Sequence, residues 1–441
     1  MSVILNAMKK LPVLLFAVAV LAARGEGTFN VRDFGAKGDG HTLDTAAIQK
    51  ALDASGTNGG TVRFPPGTYL SQPLTLRGDH VTVELEAGAT LLATTNPMDF
   101  MRTPGDWLKA RSSAAFIPFI GGRDMADLTF TGGGTIDGSG HVWWGEAEKA
   151  RERVPGYTLP RPDLLVLQRC RNVRVENITL QNSPKYHFVP GECEGLVVSN
   201  VTILAPEHAA NTDGIDPGNC ENVLITKCRI DTGDDNIAIK AGRRPKDREF
   251  ACENITVSDC TFLHGHGMSI GSETTGGVHD LVVENCTFEN TENGIRIKSQ
   301  RGKGGLVEDI IYRNIQMKDV DPAITFTSYY MFNSARDAVQ TNAPQQDAAR
   351  PMTETTPVYR DIVVSNLTAT CQESAGTILG LPESVISNVV FENVKISAAS
   401  GMKIQNAAGI QFKNSQVTVE EGQPFLVKNA QVLGADASAG Q

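Results

Sequence analysis

Residues 231 to 240 read D-T-G-D-D-N-I-A-I-K, so two adjacent carboxylates, Asp234 and Asp235, stand between a glycine and a short alternating run. Like charges crowded at one turn disfavour each other, and such a pair is costly unless something uses it. Three other segments end in a comparable short run: N-T-D-G-I-D from 211, G-H-G-M-S-I-G from 265 and N-G-I-R-I-K from 293. Taking Ile215, Ile237, Met268 and Ile295 as the first inward residue of each run puts Asp213, Asp235 and His266 two residues earlier. Asp234 then lies beside Asp235, while Arg296 and Lys298 take alternate, outward positions. Were the runs parallel neighbours about 4.8 Å apart, these side chains would form one row. Three carboxylates with an imidazole and two cations suit glycoside hydrolysis. One carboxyl stays protonated to serve the leaving oxygen, and another, ionised, activates water on the opposite face of the sugar. Crowding itself raises one of the pKa values.

A row of this kind needs a scaffold that repeats. An eleven-residue template recurs as CRNVRVENITL at 170, CEGLVVSNVTI at 193, CENVLITKCRI at 220, CENITVSDCTF at 252, VHDLVVENCTF at 278 and VEDIIYRNIQM at 307. Copies at 359, 386 and 407 complete nine, with starts 21 to 52 residues apart. The third position is always Asn, Asp or Gly, and the eighth is Asn except at Lys227 and Asp259. These residues tolerate left-handed backbone and mark bends. The runs between them alternate apolar and polar, as half-buried strands do. One such unit cannot bury its own apolar face, so copies stack into a solenoid. The expected fold is all-β, a single-stranded parallel β-helix; the spacing of a leucine-rich repeat is missing.

Seven of the eight cysteines share template positions with Val, Ile or Leu, which reads as small buried hydrophobes, with one or two disulfides between stacked neighbours left open. No C-x-x-C pair or His/Cys cluster suggests a metal. The N-x-T sequons at Asn177, Asn200, Asn254, Asn285 and Asn366 follow from the template and are not read as glycosylation sites. Upstream, Ala47, Ile48, Ala51 and Leu52 recur at helical spacing, predicting a short helix that caps the open end of the solenoid.

Composition sets the remaining bounds. With 441 residues, 41 % hydrophobic, 20 % charged and a formal net charge of -10, the chain can bury a large core and lacks the basic footprint nucleic acid requires. Met8-Lys9-Lys10 precedes the apolar run Leu11 to Ala23, so 1–23 is expected to be a secretory signal, translation starting at Met1 or Met8. The rest divides into a cap with first coils over 24–100 and a catalytic β-helix over 101–435. The expected product is an exported monomer without membrane attachment.

N-T-D, G-D-D, G-H-G and R-I-K at 211, 233, 265 and 296 resemble, in order and spacing, the four signature motifs of glycoside hydrolase family 28, the polygalacturonases. The longer matches NTDGIDP, TGDDNIAIKA, GHGMSIGSE and NGIRIKS resemble its bacterial members in particular. The resemblance spans about Phe29 to the last coils. It implies a right-handed β-helix and inverting hydrolysis of α-1,4-linked galacturonic acid without metal or cofactor. Carried over, Asp234 is the general acid and Asp213 with Asp235 the water-activating bases. His266 helps hold the acid's proton, and Arg296 and Lys298 bind the galacturonate carboxylate. Tyr329 and Asn211 are further substrate contacts.

Rival readings are a calcium-dependent pectate lyase, a rhamnogalacturonan hydrolase and a non-catalytic polysaccharide-binding β-helix. A lyase would need carboxylates arranged for Ca²⁺ and an arginine base. His264, Trp143 and Trp144 are read as structural. The basic run Lys240, Arg243, Arg244, Lys246 and Arg248 is either a solvated loop or an attractor for a polyanion. Loops at 141–163 and between Tyr329 and Pro357 are candidates to close one end of the cleft; endo and exo cleavage stay open.

Overall fold

The computed structural model describes residues 27–154, 157–242, 246, 248–330 and 347–434. The expected signal segment, Arg243 and Arg244 of the basic run, and 331–346 of the long interval lie outside them. Among the described residues no helix is long and apolar enough to cross a membrane.

The strands pair in parallel from coil to coil, as a β-helix requires. In one column Arg171–Glu176, Glu194–Ser199, Glu221–Thr226, Cys252–Ser258 and Val278–Glu284 follow each other in register. A second column runs through Thr179–Gln181, Thr202–Leu204, Arg229–Asp231, Thr261–Leu263 and Thr287–Glu289. The bends between these columns are what the template encodes. Both bend positions of every copy hold φ between +46° and +70°, including Lys227 at +55°. Asparagine suits that backbone and adds a second interaction, because its amide bonds to the asparagine one coil away. Asn200 donates to Asn177 at 2.8 Å, Asn314 to Asn285 at 3.0 Å and Asn366 to Asn314 at 3.0 Å. The sequon asparagines thus have a structural use.

Inward Val, Ile, Leu and Phe from all columns fill one continuous core. Seven cysteines lie in it, Cys371 is half-buried, and all eight are free thiols, so no disulfide joins the stacked neighbours. Helix Thr45–Asn58 buries Ile48, Ala51 and Leu52 against the first coil's strands Thr28–Asn30 and Gly60–Phe64, the expected cap. The loop expected at 141–163 is instead helical over His141–Arg153, anchored by Trp143. Trp143 packs edge-on against Phe100, Trp107 and Phe116 in the core, and Trp144 donates its indole N–H to the Ser183 carbonyl.

Candidate active site

A third column carries the charged row. Ile215 bridges to Ile237, Ile237 pairs with Met268, and Met268 with Ile295, which is the register expected from the four runs. Strands Ile237–Ile239, Met268–Gly271 and Ile295–Lys298 are buried at every position, on both faces. Their outer face is therefore covered by side chains of the site itself.

The turns preceding these strands aim the functional groups. Both glycines flanking His266 are needed: Gly265 and Gly267 have φ of +72° and +67°, and a Cβ on either would meet the carbonyl of Asp234 or Asn293. The imidazole they present lies between two carboxylates, Nδ1 3.1 Å from Asp234 Oδ1 and Nε2 3.0 Å from Glu292 Oε2. Asp234 also accepts from its neighbour's backbone N–H at 2.8 Å and from the Asn211 amide at 3.2 Å. Arg161 Nη2, fully buried behind, donates to Asn211 Oδ1 at 3.0 Å and fixes which way that amide faces.

Asp235 is almost closed to solvent. Its Oδ2 accepts from Lys298 Nζ at 2.7 Å, while Oδ1 accepts from Arg296 Nη2 and from Ser269 Oγ. Asp213, equally buried, has Lys240 Nζ 3.5 Å away.

These partners divide the carboxyls. Burial pushes all three up, and for Asp213 it wins, reinforced by Asp216 and Asp234, so its pKa lies well above the carboxylate range. For Asp235 the charges of Lys298 and Arg296 overcome burial and hold it down to about 2. In Asp234 burial is overcome chiefly by His266, with Lys298 helping, and the carboxyl is held well below its usual value. Burial lowers the imidazole of His266, but Asp234 and then Glu292 reverse this and raise it to about 10. The two opposite shifts favour placing the proton this pair shares on the imidazole.

The row brings Asn211, Asp213, Asp234, Asp235, His266, Arg296 and Lys298 into one cleft of about 880 Å³. One placement differs from expectation, that of the tyrosine. Arg296, 1 % exposed, lines the cleft as expected but also bonds to Asp235 and donates Nε to Ser269. Tyr329 turns its hydroxyl to Asp347 at 2.8 Å, and the adjacent Tyr330 lines the cleft, with Lys298 Nζ 5.1 Å from its ring centroid. His264 pairs with Asp231 outside the row. The chain also places Asp216, Lys240 and Glu292 at the site, three residues the motifs alone do not single out. Asp234, Asp235 and His266 are close enough to share a metal ion. The fit is poor, because Asp235 already carries two cations and the imidazole holds a proton.

The profile of glycosyl hydrolases family 28 matches residues 61–419, and that of rhamnogalacturonase A/epimerase, pectate lyase-like, matches 28–82. An endo-polygalacturonase of Pectobacterium carotovorum subsp. carotovorum is 31 % identical over 384 residues, 84 % of this chain and 88 % of that one. A polygalacturonase of Juniperus ashei is 30 % identical over 387 residues, covering 85 % and 68 %. The structure of the Yersinia enterocolitica family 28 exopolygalacturonase superposes with a TM-score of 0.74 at 26 % identity, over 92 % of this chain and 78 % of that one. Plant and bacterial relatives stand at nearly the same identity, which does not support the narrower likeness to bacterial members. The chain belongs to glycosyl hydrolases family 28 and is an enzyme whose relatives are polygalacturonases.

Proposed function

We propose that this enzyme hydrolyses the α-1,4-galacturonosyl linkages of polygalacturonate with inversion. The observation that carries the reading is the registered row itself: three carboxylates on the turns of neighbouring coils, each with a different partner set, in a cleft that also presents Lys298 and Lys240. A polyanionic sugar is matched by those cations.

In this reading Asp234 delivers the proton. Lys298 is one of the charges that keep Asp234 ionised, and a galacturonate carboxylate beside that ammonium weakens its field. Asp234 then becomes the better site for the proton that His266 holds, and passes it to the leaving oxygen as the glycosidic C–O bond breaks. Asp213 takes a proton from the water attacking the anomeric carbon from the opposite face. Asp235, with both oxygens engaged, supplies fixed negative charge next to that water.

The anomer released first tests this mechanism. Proton NMR of fresh product should show the β-anomer, and initial α-anomer would establish a covalent intermediate and overturn the base role of Asp213. Product sizes over time distinguish internal from terminal cleavage. The rhamnogalacturonase match ends at residue 82, before the first residue of the cleft, Ala147, and gives no support to that substrate. The leader-like run at 11–23 supports export, checked by the mature N-terminus.

A further inference from the structure

Lys240 stands at the end of the run that follows Asp235, in line with Gly218 of the previous coil. Its ammonium is 3.5 Å from Asp213 Oδ2, 3.3 Å from Asp216 Oδ2 and 5.2 Å from the centroid of the Tyr186 ring. One cation thus faces two carboxylates. Both are nearly closed to solvent, while the lysine side chain is only a quarter exposed. Asp213 Oδ1 and both oxygens of Asp216 accept no hydrogen bond of regular geometry among the described residues. For buried carboxylates this is an unusual degree of dependence on one charge, because hydrogen bonds do not share the load.

The groups facing Asp213 come from three coils. Asp216 is on its own turn, Asp234 and Asp235 are on the next, Lys240 is at that coil's strand end, and Tyr186 and Arg161 lie on the preceding side. Arg161 is directed to Asn211 and the Ala210 carbonyl. Among the described residues, Lys240 is the cation in ion-pair contact with Asp213. A base can accept a proton from water only while ionised, and here burial, Asp216 and Asp234 all oppose ionisation.

We propose that Lys240 is a positioning residue that orients Asp213 and pulls it toward the ionised form water activation needs, and that Asp216 is the counterweight that sets how strongly it does so. The proposal rests on the reading of Asp213 as a base. Asp216 draws on the same ammonium, so the two neighbours act on Asp213 in opposite directions. Asp216 is itself raised to about 6, first by burial and against the pull of Lys240.

The test is a carbon-13 NMR titration of the Asp213 carboxyl, assigned by its loss in Asp213→Asn, run beside the pH dependence of kcat/KM. Lys240→Met should raise the Asp213 midpoint by about 1 to 3 pH units, the usual effect of losing an opposite charge within contact. The acid limb should move to higher pH with it, since a base of raised pKa is ionised only at higher pH. Asp216→Asn should move both the other way. Lys240→Arg should leave them near the wild type, which a need for shape alone would not predict. Should Lys240→Met unfold because two buried carboxylates lose their partner, Asp216→Asn and the double variant Lys240→Met/Asp216→Asn carry the same comparison. An Asp213 midpoint unmoved in these variants overturns the proposal. A midpoint that moves while the acid limb stays fixed instead overturns the base assignment of Asp213, and the catalytic use of Lys240 with it.

Discussion

Two stacked polar columns run along this solenoid. At the second template bend, from Asn285 onward, the stacked groups are neutral amides, and Asn285, Asn314, Asn366, Asn393 and Asn414 each bond to the asparagine of an adjacent coil. In the row over the third column the stacked groups are charged, and no two coils repeat. Asp213 faces one shared lysine, Asp235 faces a lysine and an arginine, and Asp234 faces a histidine. A neutral group that is both donor and acceptor can be repeated indefinitely at a coil spacing of about 4.8 Å, since each copy satisfies the next. A carboxylate repeats only where water screens it, as at the exposed Asp280 and Asp309 of neighbouring bends; buried, its own kind on the next coil is an uncompensated like charge. The site is therefore the place where the repeat gives way to differentiated partners. Those partners give three chemically similar carboxyls three different proton affinities.

The largest effect should come from the carboxyl whose proton moves. Asp234→Asn keeps the shape and the Asn211 contact but cannot deliver a proton, and kcat should fall by about 10²- to 10⁴-fold with the fold intact. Steady-state kinetics on polygalacturonate, with thermal unfolding as the control, check this. Turnover like the wild type's would erase the distinction drawn between Asp234 and its neighbours.

Lys298 tests whether a partner on the charged row does more than hold its carboxylate. It contacts Asp235, lines the cleft and lies near Tyr330. Lys298→Met preserves most of the stem and removes the charge, so kcat/KM should fall by about 2 to 4 kcal/mol, the range for losing one member of a buried charge pair in a cleft. Heavily methyl-esterified pectin should be a poor substrate for the wild type, because esterification removes the anionic acceptor, and the variant's preference for the acidic polymer should shrink. An unchanged preference would assign Lys298 to Asp235 alone.

Much of this was readable in the residues, for reasons the two columns make plain. Register was legible because Ile215, Ile237, Met268 and Ile295 recur after similar turns, and a strand has only two faces. Bends were legible because Asn, Asp and Gly recur at fixed template positions. The helix at His141–Arg153 was not, since its buried residues are only Trp143 and Ala147, too thin a stripe to show a period. Tyr330 was confused with Tyr329 because neighbouring residues differ in direction, and one step of chain moves a ring from the cleft to Asp347. Arg296 could be placed on the outer side of its strand, but alternation does not say what an outward side chain meets. Lys240 was absorbed into a basic run. Its pairing with Asp213 and Asp216 depends on contacts 24 and 27 residues away in sequence, which no local pattern records.

The neutral column should respond in the smallest and most local way. Asn314 sits mid-ladder at φ +57°, donating to Asn285 and accepting from Asn366, on the exposed side of the solenoid. Asn314→Ala loses both bonds and places a Cβ residue without local hydrogen bonding in the left-handed region, a change worth about 1 to 2 kcal/mol of stability. Asn314→Gly loses the same bonds but meets no steric penalty at that backbone. Glycine should therefore be the milder substitution, reversing the order found inside ordinary strands and helices. Denaturant unfolding gives both values, and kcat/KM should match the wild type in each. If alanine proves as mild as glycine, the bend is not what asparagine is there to hold. If activity falls with either, the two columns are coupled through the core, and the partition between scaffold and site does not hold.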